Sequence, residues 1–247
     1  MSAQVIRILS GMLLLMILPL VVLLSHWHWQ PNGFPAWLLP LFWLTETVTQ
    51  PVGILTHCLL CGWFLWCLRF RLKSAAMLLV ILGGAILAGQ GIKSVIKDNV
   101  QEPRPYVVWL EQQHHTTVEQ FYSLKRHQRA ALVAQQLRDS PSLPSWLRQH
   151  WEKETGFAFP SGHTMFAASW ALLAIGLLWP RGHHLTVILI FAWAVGVMGS
   201  RLVLGMHWPR DLLMATGISA AIILLACKLT EHWCPGLSAR ENHYKET

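Results

Sequence analysis

The sequence predicts an all-α integral membrane protein, with six transmembrane helices in a bundle and a small helical cap between the third and the fourth. Of its 247 residues, 53% are hydrophobic and 13% charged, against about 25% charged in an ordinary soluble domain. That balance excludes a water-soluble globular chain. Apolar runs of near membrane-crossing length recur six times. The 14 Trp are many for this length, and Trp27, Trp29, Trp63, Trp66, Trp179 and Trp208 flank apolar runs, where amphipathic rings anchor at the headgroup level. A formal net charge of +7 suits an anionic membrane surface or an anionic substrate.

The first run, residues 5–24, has Arg7 ahead of its core and is long enough to cross about 30 Å of hydrocarbon. Ser25-His26-Trp27-His28 offers no small-residue cleavage pattern, so the run is expected to be a span rather than a signal peptide. Residues 27–52, rich in Trp and Pro, suggest an interfacial loop or half-helix, with Glu46 as a solvated loop acid. Residues 54–68 form the second span, and the basic stretch Arg69-Phe70-Arg71-Leu72-Lys73 follows. In the third, residues 75–92, Gly83, Gly84, Gly89 and Gly91 are expected to permit close helix contact. Lys93 and Lys97 share one face at its far end. Residues 89–94 faintly resemble a nucleotide-binding P-loop, but the full pattern is not met.

Residues 98–159 are the one long polar region. Helical periodicity over residues 118–138, ended by Ser140-Pro141-Ser142-Leu143-Pro144, predicts the cap, which is too short to be an independent domain. Residues 164–179, 185–198 and 212–229 are the last three spans, and the charged stretch 240–247 is expected to be disordered. The chain thus divides into residues 1–97 (spans one to three with the Trp-rich loop), 98–159 (cap), 160–230 (spans four to six) and 231–247 (tail). Cys58, Cys61 and Cys67 lie in one apolar run and Cys227 and Cys234 at or beyond the last, so no disulfide framework is expected. Cys58 and Cys61 are packing residues rather than a redox pair, and His114-His115, with no patterned partner, is an exposed loop pair rather than a metal site.

Six spans put both termini on one side, and the short basic segments at residues 69–73 and Arg181 fall on that side, which the positive-inside rule makes the cytoplasm. Lys97 then ends span three, Pro160 to His163 open span four, Ser200-Arg201 end span five and His207 to Asp211 open span six, all on the outward face. Three cations (Lys97, Arg104, Arg201), a hydroxyl (Ser161), two imidazoles (His163, His207) and one carboxylate (Asp211) converge there. Three cations with helix N-terminal N–H groups neutralise a phosphate dianion without a metal. His207 and Asp211 stand four residues apart at a helix start. That spacing lets the carboxylate take the N–H of one ring nitrogen and leave the other basic and exposed, as a nucleophile requires. Lys93 and Arg210 carry no such spacing and are expected to be interfacial anchors.

Lys97-x6-Arg104-Pro105, Pro160-Ser161-Gly162-His163 and Ser200-Arg201-x5-His207-x3-Asp211 resemble the three signatures of the type 2 phosphatidic acid phosphatase family, with no departure at any signature position. The segments Trp43 to Pro51 and Glu154 to Phe159 extend the resemblance to the flanks. It implies a metal-independent lipid phosphatase without cofactor, in a bacterial inner membrane with its site facing the periplasm. His207 would be the nucleophile, Asp211 its orienter and His163 the acid, while Lys97, Arg104, Ser161, Gly162 and Arg201 hold the phosphoryl oxygens. The implied substrates are phosphatidylglycerol phosphate, undecaprenyl diphosphate and phosphatidic or lysophosphatidic acid. The implied partners are these phospholipid and polyprenyl phosphates and the bilayer, with no nucleic acid and no obligate protein partner. Vanadium-dependent haloperoxidases resemble the same site, because vanadate mimics phosphate, but they are soluble in the main. A transporter or flippase would place ionisable residues near the bilayer midplane rather than at one surface. A non-catalytic binding protein is the third alternative, which phosphate release would exclude.

Overall fold

The structure, a computed structural model, describes residues 2–31, 33–69, 72–114, 116–138, 140 and 143–233. Phe70, Arg71, His115, Pro141, Ser142, Cys234 and the charged stretch 240–247 lie outside the described residues.

Among the described residues every regular element is helical. Helix α1 (Ala3–Leu24) starts on Ser2, whose hydroxyl accepts the Val5 N–H at 3.4 Å, as N-caps do. A short helix α2 (Leu38–Glu46) precedes α3 (Val52–Leu68) and the 29-residue α4 (Leu72–Val100). Four short helices follow: α5 (Pro105–Gln113), α6 (Val118–Ser123), α7 (Arg126–Gln136) and α8 (Ser145–Lys153). The chain closes with α9 (Gly162–Leu177), α10 (His184–Val203) and α11 (Pro209–Trp233). Five stretches are long and apolar enough to cross a membrane: α1, the range Leu72–Gln113 that contains α4, α9 with the 3-10 turn after it, α10 and α11. The predicted second span, α3, has 17 residues and rises about 25 Å, a little short of the hydrocarbon thickness.

Helix α9 is apolar all round and lies at the centre, packed against α1, α4, α10 and α11. A helix with no polar face belongs in a core, and Ala167, Ala168, Trp170, Ala171, Leu172 and Leu173 are buried there. A second apolar cluster gathers Leu38 of α2, Tyr106 and Leu110 of α5, Phe121 of α6, Val133 of α7, Leu147 and Trp151 of α8, and the Leu204–Met206 turn. The polar region between α4 and α9 thus has a core of its own.

Several expectations change. The third span runs on to Val100, and the helix expected over residues 118–138 is two helices. Leu124 and Lys125 are extended, and a Thr117–Gln120 capping box and the Lys125 N–H on Gln128 Oε1 (2.9 Å) start each piece separately. Of the four α4 glycines only Gly89 is closely approached, by Met165; Gly83, Gly84 and Gly91 face open space. The indole N–H groups of Trp29 and Trp208 are committed within the protein, donating to the Val203 carbonyl (2.9 Å) and the Pro103 carbonyl (2.8 Å). Glu46 is not a solvated loop acid but a partly buried partner of His150, at 3.1 Å.

Candidate active site

The site is built where four helix ends meet. Ser161 caps α9: its hydroxyl accepts the Thr164 N–H at 3.3 Å, and its own N–H donates to the Asp211 carbonyl at 3.2 Å, tying the start of α9 to the start of α11. The first N–H groups inside the helix, those of Gly162 and His163, have no intrahelical acceptor and sit at its positive end. The N–H groups of Met206 and His207 donate to the Arg201 carbonyl at 3.0 and 3.1 Å, folding the end of α10 back toward α11. Lys97, near the end of α4, donates through Nζ to the Phe157 and Ala158 carbonyls just before α9.

Asp211 serves two masters at the start of α11. One carboxylate oxygen, Oδ2, accepts the Trp208 N–H at 2.9 Å, the helix-capping bond of a third-position acid, and lies 3.1 Å from His207 Nδ1. With Nδ1 on the carboxylate, Nε2 is the free nitrogen. Burial, and after it the charges of Arg104, Arg201 and Lys97, hold the His207 imidazole well below its ordinary pKa. The ring is therefore neutral at pH 7, as a nucleophile must be.

Arg104 and Arg201 are buried together with one acid between them. Arg104 donates from Nε to the Gly156 carbonyl (2.7 Å), from Nη1 to that of Met206 (3.4 Å) and from Nη2 to Glu154 Oε2 (3.0 Å). Arg201, fully buried, donates from Nη1 to Thr45 Oγ1 at 2.9 Å and contacts His150 Nε2 at 3.1 Å. Its Nε and Nη2 are buried and make no hydrogen bond, so the edge of the guanidinium that can fork onto an oxyanion lacks a hydrogen-bond acceptor. Glu154 Oε2 stands 3.5 Å from that Nη2, and Glu154 Oε1 3.9 Å from His163 Nε2, which also contacts Thr49 Oγ1 at 3.0 Å. Burial would raise the Glu154 carboxyl, but Arg104, His163 and Arg201 hold it well below the usual carboxylate range.

An open cavity of about 1320 Å³ is lined by Lys97, Arg104, Glu154, Gly162, His163 and His207 among others. Of the eight residues singled out in the sequence, Lys97, Arg104, Gly162, His163 and His207 thus line the cavity, while Ser161, Arg201 and Asp211 are buried behind it, Asp211 against His207, Arg201 against Glu154 and Ser161 on the Asp211 carbonyl. Lys93, expected as an anchor, is on the wall too, with Nζ on Gln90 Oε1 at 2.6 Å and its stem against Gly162. Arg210 bonds Glu102, yet its side chain is 66% exposed. A smaller cavity of about 320 Å³ reaches His207 from another side, walled by Leu23, Trp27, Trp29, Trp208 and Pro209. His26, His28 and Arg210 also line it, whereas Lys97, Arg104, Gly162 and His163 line only the larger one. Sequence reasoning missed Thr45, Glu46, Thr49, His150 and Glu154, whose only signal was that most of them fall in the flanking segments that extend the family resemblance.

Positive charge kept at the end of a buried apolar bundle suits an anionic guest, and with a neutral imidazole beside it the arrangement fits the class of membrane-embedded phosphatases. The chain belongs to the PAP2 superfamily, whose family model matches residues 78–233. It is similar to phosphatidylglycerophosphatase B of Escherichia coli (strain K12), 59% identical over 239 residues that cover 96% of this chain and 94% of that one. It is also similar to the protein of that name from Haemophilus influenzae, 36% identical over 216 residues that cover 83% of this chain and 87% of that one.

Proposed function

We propose that the chain removes terminal phosphate from membrane lipids through a phosphohistidine, with phosphatidylglycerol phosphate as a substrate, as the names of its relatives suggest. The observation that carries this is the His207 ring, tied at Nδ1 to Asp211 and opening onto a cavity shared with Lys97, Arg104 and His163. His207 Nε2 attacks phosphorus as the bond to the lipid oxygen breaks, and His163 gives that oxygen a proton. Water then attacks the phosphohistidine, His163 takes its proton, the P–N bond breaks, and inorganic phosphate leaves. Lys97, Arg104, the Nε–Nη2 edge of Arg201 and the N-terminal N–H groups of α9 hold the phosphoryl oxygens, and fixed positive charge does what a metal would do elsewhere. Ser161 supports the site through the α9 cap.

Undecaprenyl diphosphate and phosphatidic and lysophosphatidic acid belong to the same proposal, because the cations grip a phosphoryl group and read little else. So do six spans counting α3, an outward cap formed by α5 to α8, a bacterial inner-membrane location with the site facing the periplasm, and cytoplasmic termini. Release of inorganic phosphate from these lipids by purified protein, with chelator present, tests it. His207→Ala is expected to lose about 10³-fold or more of the rate, and near wild-type release by that variant would refute the assignment.

A further inference from the structure

The acid that neither the signatures nor the proposed chemistry employs is Glu154. Its backbone is fixed, since its N–H closes the end of α8 on the His150 and Trp151 carbonyls (3.1 and 3.2 Å) and its carbonyl accepts from Tyr106 Oη (3.3 Å). Its carboxylate reaches into the cavity, with the side chain 18% exposed. There it meets Arg104 at 3.0 Å, Arg201 at 3.5 Å and His163 at 3.9 Å. All three are groups that the mechanism reserves for the phosphoryl oxygens and the leaving oxygen. The buried Nε and Nη2 of Arg201 still lack an acceptor with Glu154 in place, so the carboxylate covers the oxyanion seat without satisfying it.

We propose that Glu154 is a specificity-determining residue, a tethered anion that occupies the phosphate seat until a guest of greater negative charge displaces it into the cavity. The inference rests on the phosphatase reading of the site. A carboxylate carries one negative charge and, being tethered, competes at an effective concentration on the order of millimolar. A phosphodiester headgroup, which is what the bulk lipids around the site present, also carries about one charge and gains nothing by the exchange. A terminal phosphate carries about −1.5 to −2 at pH 7 and offers an additional acceptor oxygen for the Nε–Nη2 edge of Arg201. The seat therefore opens to phosphate monoesters and diphosphates and stays shut to the diesters that outnumber them.

The test measures competitive inhibition of phosphate release by inorganic phosphate and by dimethyl phosphate, a soluble monoanionic diester. In wild-type protein inorganic phosphate is expected to inhibit and dimethyl phosphate to inhibit far more weakly. Glu154→Gln, which keeps the shape and removes the charge, should tighten dimethyl phosphate inhibition by at least about tenfold and narrow the gap between the two. Glu154→Asp, which withdraws the charge by one methylene, should move the constant in the same direction by less, and it carries the test if the Gln variant is not recovered folded. An unchanged or weakened dimethyl phosphate constant in folded, active variants would mean that Glu154 only braces the two arginines, and would overturn the proposal. Failure of inorganic phosphate to compete in wild-type protein would instead sink the phosphate site itself.

Discussion

Arg201 shows how far the chemistry of single atoms constrains this site. A guanidinium only donates, so His150 Nε2, 3.1 Å from Arg201 Nη1, must accept. The His150 proton then sits on Nδ1, which donates to Glu46 Oε1 at 3.1 Å. Burial pushes His150 below its ordinary pKa, against the pull of Glu46 and with the help of the Arg201 charge. The neutral tautomer that can accept is therefore the one present at pH 7. Glu46 and His150 thus hold Arg201 Nη1 on the side away from its Nε–Nη2 edge, and a positioning role for the pair makes a prediction. His150→Leu removes the acceptor and is expected to lower kcat/KM about ten- to a hundredfold, the range for a hydrogen bond to a charged group. His150→Gln, whose amide oxygen can accept from Nη1, should recover most of it. Steady-state kinetics of the two variants decide the matter, because a purely structural histidine would not be rescued by an acceptor.

At the level of elements, the turn between α10 and α11 sets the distance between Arg201 and His207. Gly205 makes that turn, with φ +70°, a conformation that side chains rarely adopt. A Cβ there would also lie 2.6 Å from the Trp29 ring. The turn is held by its neighbours: Trp151 Nε1 donates to the Leu204 carbonyl at 3.0 Å, and the Tyr106 N–H to that of Gly205 at 3.0 Å. Gly205→Ala is expected to cost about 1–3 kcal/mol and to lower thermal stability in detergent and phosphate release together. Gly84→Ala, where the added methyl meets open space, should leave both near wild type. A thermal melt and an activity assay on the pair separate a strained turn from a glycine that merely sits in a helix.

Across the whole molecule, the five long apolar stretches and the shorter α3 lead to a topology that labelling can check. On a cysteine-free background, Gln128→Cys is expected to react with a membrane-impermeant thiol reagent from the periplasmic side, and Lys73→Cys only after the inner membrane is opened. The reverse pattern would put the site in the cytoplasm. By itself the sequence determined that the chain is a bundle of apolar helices and that His207 and Asp211 pair, because both follow from short-range regularities: the length of an apolar run, and the four-residue spacing of one helical turn. It also marked Lys97, Arg104 and His163, because their signatures carry the chemistry openly. It misjudged Gly83, Gly84 and Gly91, which face open space, and Glu46, whose partner His150 lies far along the chain. Only the tertiary structure decided that Glu154 stands 3.5 Å from Arg201 Nη2 and that Glu46, through His150, contacts the same guanidinium. Those contacts join residues 47 to 104 positions apart, and no local pattern reports where a folded chain will bring such distant side chains together.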